Sequence, residues 1–225
     1  MICKRPCVGE YKRRLNAGRC SYCYMEVLEY KRKTKNKEIR RMVKEMNVLI
    51  SKEEIQEKVK ELAERINNDY SSIHLVGLLK GSFVFLADLM REITIPTTVD
   101  FMSVRSYEET ESTGEIKILK ELNESIFDKD VLIVEDIVDT GLTLRSIIDM
   151  LLLKHPRSLN IITLLDKKEK REHNIDVKYI GFEIPDKFVV GYGIDYSQSY
   201  RQLPYIGTIP YQTKVKKERE WEKKL

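Results

Sequence analysis

No run of eighteen apolar residues occurs in the 225-residue chain, so no transmembrane helix is expected. The opening, Met1-Ile2-Cys3-Lys4-Arg5-Pro6-Cys7, lacks the apolar core of a secretion signal. A cytoplasmic location is therefore expected, where thiols stay reduced. No G-x-x-x-x-G-K-[ST] stretch is present, which excludes a P-loop. Histidine is scarce: His74 falls in an apolar strand pattern, while His155 and His173 fall in polar stretches and should be exposed. None of the three points to a function. No internal repeat is visible. Cysteine is absent after position 23, so no thiol chemistry is expected in the rest of the chain.

What is present is unevenly spread. Residues 1–46 carry 14 Lys/Arg against 5 Asp/Glu, whereas the remainder is mildly acidic and the whole chain is +4. The basic character belongs to a leader, and nucleic acid would be a partner only through it. The expected organisation is a basic leader (1–46), one α/β domain (47–213) and a charged tail (214–225). Such a length suffices for one sizeable core plus an appendage. Met46 could serve as an alternative start.

Within the domain, Ser51 followed by Glu53 and Glu54 predicts a helix N-terminus, with Ile55, Val59, Leu62 and Ile66 as its apolar stripe. Ile73–Leu79, Val99–Ser106 and Asn160–Leu165 read as strands, and Phe83–Arg91 as a helix. Residues 107–117 are polar and read as a surface segment. Strands alternating with helices predict a parallel twisted sheet flanked by helices.

The most informative stretch is Val131-Leu132-Ile133-Val134-Glu135-Asp136-Ile137-Val138-Asp139-Thr140-Gly141-Leu142-Thr143. Its apolar run, Val131–Val134, reads as a buried parallel strand ending in two carboxylates. Asp139-Thr140-Gly141 forms a turn, and Leu142–Leu153 has helical spacing. Ligands of open α/β sheets bind at such strand-to-helix edges. Free amides at the helix start suit a phosphate, and Thr140 and Thr143 add hydroxyl donors. Two acids beside a phosphate would repel it unless a divalent cation intervenes, and Mg²⁺ prefers these oxygen ligands. The stretch thus predicts a phosphorylated, Mg²⁺-associated sugar or nucleotide.

Glu135–Thr143 resembles the phosphoribosyl-pyrophosphate signature of the type I phosphoribosyltransferases. Four further segments resemble the hypoxanthine-guanine branch of that family, in the same order over about residues 47–210. They are Leu79-Lys80-Gly81-Ser82, Ser106-Tyr107 with Ser112-Thr113-Gly114, Leu164-Leu165-Asp166-Lys167, and Gly181-Phe182-Glu183-Ile184-Pro185-Asp186-Lys187-Phe188-Val189-Val190-Gly191-Tyr192. The resemblance implies the family's fold, with a small hood subdomain beside the main sheet. It implies joining of a 6-oxopurine to phosphoribosyl pyrophosphate with expulsion of pyrophosphate, as in purine salvage. A homodimer or homotetramer is also implied.

Residue roles follow from the same resemblance. Asp139, Thr140, Gly141, Leu142 and Thr143 would grip the 5′-phosphate. Glu135 and Asp136 would face the ribose hydroxyls and Mg²⁺, which Asp195 also holds. Lys80, Gly81 and Arg201 would meet pyrophosphate, and the peptide before Lys80 would be cis. Lys167 would donate to the 6-oxo group, Phe188 would stack on the purine, and the Val189 backbone would pair with its edge. Lysine has no acceptor, so adenine, which presents an amino donor, should be rejected. Asp139 would accept a proton from the base. Ser106 and Tyr107 belong to the segment that would close over the site and exclude water.

The leader lies outside the resemblance. Cys3-x3-Cys7 and Cys20-x2-Cys23, twelve residues apart, have the outline of a four-thiolate Zn²⁺ knuckle. A basic leader with incidental cysteines fits as well. Two rivals to a 6-oxopurine enzyme remain: a regulatory module that binds nucleotide, and a xanthine or adenine enzyme. Asp139, Lys167, Asp195 and Arg201 favour catalysis, since a pure sensor could lose them.

Overall fold

The structure, a computed structural model, describes residues 46–106 and 116–209. The four leader cysteines, Tyr107 with the segment to residue 115, and the charged tail lie outside the described residues. Among those described, no helix is long and apolar enough to cross a membrane.

The chain enters by a short strand, β1 (Asn47–Ile50), and turns into helix α1 (Lys52–Asp69). Ser51 caps α1 reciprocally: the Glu54 amide donates to Ser51 Oγ, and the Ser51 amide donates to Glu54 Oε2. The predicted stripe of Ile55, Val59, Leu62 and Ile66 is buried. Strand β2 (Ile73–Leu79), helix α2 (Phe83–Glu92), and strands β3 (Thr97–Ser106) and β4 (Ile116–Lys120) follow. Then come β5 (Asp130–Val138), helix α3 (Leu142–Leu152), β6 (Ser158–Asp166), a single 3-10 turn (Lys168–Lys170) and β7 (Tyr179–Glu183). Two last strands follow, β8 (Val189–Val190) and β9 (Ile206–Thr208), and β9 pairs with both β1 and β8.

Two sheets result. The larger has the order β4-β3-β2-β5-β6-β7, and all its pairs are parallel except β3–β4. The smaller, β1-β9-β8, is antiparallel. The main sheet is therefore mostly parallel. Its one antiparallel pair is at the edge, where β4 lies against β3.

Successive residues of β5 serve opposite faces. Leu132 and Val134 join a core with α1 and α2, while Val131 and Ile133 join a second core with α3. Burial on both faces explains why this strand reads as a continuous apolar run. On β3, the carboxylate of Asp100 is buried and accepts from the amides of Phe101, Asn123 and Glu124 and from Lys120 Nζ. It fastens the connection leading from β4 to β5.

Three expectations need correction. β5 does not stop before the two acids but runs through Glu135 and Asp136 to Val138, because its ladder with β6 continues through Ile137–Leu165 and Val138–Asp166. Backbone pairing there outweighs the polar side chains. His173 is half-buried rather than exposed, since its amide is tied to the Thr140 carbonyl. Helix α3 ends at Leu152, one residue early.

Candidate active site

Taken alone, the parallel strands run β3-β2-β5-β6-β7, so the direction of strand addition reverses between β2 and β5. Open α/β sheets bind ligands beyond the carboxyl ends of strands at such a reversal. The loops leaving β2 and β5 carry Lys80-Gly81 and Asp139–Gly141.

The β2 loop begins with a cis peptide between Leu79 and Lys80, as expected. Ser82 is fully buried and its hydroxyl donates to the Leu78 carbonyl at 2.6 Å, closing the turn into α2. Lys80 is exposed. Gly81 lies against Asp136: a Cβ there would come within 1.7 Å of Asp136 Oδ2. Only glycine leaves that carboxylate its place.

The β5 loop turns on Gly141, whose φ of 86° is in the left-handed region and where a Cβ would press on Ile175 Cδ1 at 2.7 Å. Helix α3 starts immediately after and has no side-chain cap. Its first amides therefore face the turn, where Thr140 offers its hydroxyl near the Leu142 amide. Thr143 and Leu142 are half-buried in that first turn. The Thr140 carbonyl takes both the Glu172 and His173 amides, which binds the β5 loop to the one after β6.

Register then brings two of the predicted residues together. Val138 pairs with Asp166, and the Lys167 amide donates to the Val138 carbonyl at 2.9 Å. The next residues on each strand are Asp139 and Lys167. Lys167 Nζ lies 3.6 Å from Asp139 Oδ2, and its side chain is only 7% exposed. Asp139 Oδ1 is buried without a hydrogen-bond partner. Asp166 itself turns away from this group and forms a buried ion pair with Arg171.

Two more residues, which motif reading did not single out, join the cluster. Asp186 Oδ1 is 3.3 Å from Lys167 Nζ and 3.1 Å from Lys170 Nζ. Lys170 also approaches Asp139 Oδ2 at 4.0 Å. A signal for Asp186 existed, because it follows β7 by three residues at the same sheet edge. Lys170 sits in a charged run and gave none.

Glu135 and Asp136 are half-buried. Burial, and then the neighbouring Asp136 charge, push the Glu135 carboxyl well above its usual value. Burial likewise lifts Asp136 to about 6, with Asp195 adding to the rise and the Ile137 amide and Arg201 opposing it. Asp195 is held by Arg201 Nη2 at 2.7 Å and by the Gln198 amide at 2.7 Å. Arg201 Nη1 donates to the Gly193 carbonyl at 2.6 Å. Gly193 in turn packs directly on the Gly81 carbonyl. The Asp195–Arg201 segment thus sits over the β2 turn and near Asp136. Among the described residues, no three acids or histidines already converge as a metal cluster, so Glu135, Asp136 and Asp195 are not brought together as one set.

Phe188 precedes β8 and meets Tyr196 edge-on, with ring centres 5.4 Å apart. Val189 is buried in the smaller sheet and pairs with Thr208. Ser106 ends β3 opposite Ile116.

The match with known proteins covers this same region. The model of the phosphoribosyl transferase domain matches residues 50–197. The chain is 53% identical over 169 residues to the hypoxanthine phosphoribosyltransferase of Buchnera aphidicola, covering 73% of this chain and 96% of that protein. It is 54% identical over 166 residues to the hypoxanthine-guanine phosphoribosyltransferase of Staphylococcus epidermidis, covering 72% and 93%. A crystal structure of a hypoxanthine phosphoribosyltransferase from Staphylococcus aureus superposes with a TM-score of 0.72 at 49% identity, covering 74% of this chain and 92% of that one. With the strand reversal, the uncapped helix after Asp139-Thr140-Gly141 and this level of identity, the chain belongs to the phosphoribosyltransferase family.

Proposed function

We propose that this protein is a purine-salvage enzyme that transfers phosphoribosyl from phosphoribosyl pyrophosphate to hypoxanthine, and to guanine, releasing pyrophosphate. The observation that carries the purine assignment is the pair at the ends of β5 and β6. A 6-oxopurine presents O6 and N7 side by side on one edge. Lys167 is a donor with no acceptor, and Asp139 Oδ2 stands 3.6 Å from it. Such a pair can meet O6 with an ammonium while a carboxylate takes the proton at N7. Adenine, with an amino group at position 6, would face an unanswerable donor. Phe188 would stack on the ring and the Val189 backbone would pair with its edge.

The uncapped α3 terminus, with Asp139, Thr140, Gly141, Leu142 and Thr143, would hold the 5′-phosphate through backbone amides and hydroxyls. Lys80, Gly81 and Arg201 would orient the leaving pyrophosphate. Ser106 and Tyr107 would help close the site against water. Mg²⁺ fits the chemistry of the donor set: Glu135 and Asp136 are adjacent, half-buried carboxylates, and the Asp195 charge is near enough to Asp136 to raise it. Glu135, Asp136 and Asp195 would hold the ion, which supplies charge neutralisation to pyrophosphate and ribose oxygens.

An assay of the full chain with hypoxanthine, guanine, xanthine and adenine, phosphoribosyl pyrophosphate and Mg²⁺ tests the reading. Turnover of hypoxanthine with none of adenine is expected. Preference for adenine, or nucleotide binding without turnover, would overturn it.

The finer organisation is part of the same proposal. The protein works in the cytoplasm as a homodimer or homotetramer. Supporting association, α2 exposes Phe83 and Met90, and Phe83 lines a groove of about 500 Å³ together with Val84, Leu203 and Pro204. Residues 46–225 carry every residue assigned to the site, so that piece alone should fold and catalyse. For the leader, elemental analysis separates its two readings. One equivalent of zinc, lost on changing any of Cys3, Cys7, Cys20 or Cys23, marks a structural site. Metal-free protein marks incidental cysteines.

A further inference from the structure

The ammonium of Lys167 is not simply paired with Asp139. It lies between two carboxylates and is nearer to the one with no assigned role: Asp186 at 3.3 Å, Asp139 at 3.6 Å. Asp186 has a second cation, Lys170 at 3.1 Å. Lys170 touches Asp139 only at 4.0 Å. Two ammonium groups and two carboxylates thus form a closed, neutral ring, and Lys167 is its one buried member.

The backbone builds this ring deliberately at both ends. The Ile184 amide donates to the Asp166 carbonyl at 2.9 Å, which anchors the segment leaving β7 beside the residue that precedes Lys167. Pro185 follows with a fixed φ, and Asp186 comes next. On the other side, the Lys170 amide donates to the Lys167 carbonyl at 3.0 Å, so the 3-10 turn folds Lys170 back over Lys167.

Without Asp186, a buried flexible ammonium would have one carboxylate to approach, and it would close on Asp139 as a direct ion pair. That contact would occupy the oxygen needed for the purine proton and move the donor away from O6. With Asp186 opposite, the attraction is divided. Lys170 then compensates Asp186, so that Asp186 does not capture Lys167 outright. The mutual hydrogen bond of this outer pair holds Asp186 below the usual carboxylate value and Lys170 above the usual lysine value.

We propose that Asp186 is a positioning residue, tuned by Lys170, which holds the Lys167 ammonium off Asp139 and at the place of the purine 6-oxo group. This rests on the 6-oxopurine reading above. The test is steady-state kinetics of Asp186→Asn, Asp186→Glu and Lys170→Gln in the full chain, alone and on a Lys167→Ala background. Asp186→Asn should raise the hypoxanthine KM about tenfold while the phosphoribosyl pyrophosphate KM and the melting temperature stay unchanged. Asp186→Glu should restore most of the loss, and Lys170→Gln should give a smaller rise. On the Lys167→Ala background, Asp186→Asn should add nothing, because the residue acts through Lys167. Equal rises in both KM values, or full additivity with Lys167→Ala, would overturn the proposal. A parent enzyme inactive on every 6-oxopurine would instead defeat the reading it rests on. An active parent insensitive to Asp186 would defeat this inference alone.

Discussion

Strands β5 and β6 carry a polar cluster at each end, and the two differ in how completely they are satisfied. At the amino end, Asp130 pairs with Ser158 in register. Ser158 Oγ donates to Asp130 Oδ1 at 2.6 Å, and Arg157 Nη1 donates to Asp130 Oδ2 at 3.1 Å. The same arginine reaches the Asp128 side chain and carbonyl. At the carboxyl end, Lys167 stands 3.3 and 3.6 Å from its two acids, and Asp139 Oδ1 has no partner although it is buried. Both ends hold similar residue types on one ladder. A fully satisfied cluster locks a strand start, whereas an incompletely satisfied one keeps hydrogen-bonding capacity for something else.

Four measurements break or sharpen that contrast. The largest effect should come from Asp139→Asn, which keeps the shape but cannot accept a proton. Turnover should fall on the order of a hundredfold or more with an unchanged melting temperature. Wild-type turnover in that variant would remove Asp139 as the base. Next, Lys167→Ala removes a charged hydrogen bond worth roughly 1.5–3 kcal/mol, so purine KM values should rise by about ten- to a hundredfold. Discrimination against adenine should weaken as well. Purine constants identical to the parent's would end that assignment.

The third concerns Asp100, a buried acid of the satisfied kind. Burial would push its carboxyl up, yet the amides of Phe101, Asn123 and Glu124 and the Lys120 ammonium hold it below the ordinary value. A carboxyl lowered in the folded state stabilises the fold above its unfolded pKa, and that gain is lost as pH falls through the folded value. Melting curves should therefore show Asp100→Asn least stable relative to the parent at neutral pH. The gap should narrow below about pH 4. A gap that widens in acid would reverse the sign. The smallest effect belongs to Ser158→Ala, which deletes one donor to Asp130. It should cost about 1 kcal/mol in stability and leave turnover untouched, as read by denaturant unfolding and assay in parallel.

The contrast also explains what could be read in the amino-acid order. The β5 core was legible because Val131–Val134 is buried on both faces, and α1 because Ser51 and Glu54 announce its cap. The phosphate turn was legible because Asp139-Thr140-Gly141 combines a glycine in a required conformation with a helix start. The extension of β5 through Glu135 and Asp136 was not, since side-chain polarity there argues against a strand while cross-strand pairing decides for it. The Asp186–Lys170 pair was not legible either. Those residues are 16 positions apart in the chain, and only the β6–β7 ladder makes them neighbours.

The β5–β6 ladder works as a ruler. Its first pair, Asp130 with Ser158, and its last, Val138 with Asp166, are eight positions apart on both strands. The spacing of the Asp139 and Lys167 backbones is set by counting residues along two rails. Removing two residues from one rail alone would offset the pair by about 6.6 Å while leaving each element's composition almost intact. Removing two from both rails would shorten the sheet and keep the pair in step. Length variation among relatives should then be matched between these two strands, whereas the loops beyond them are free to differ.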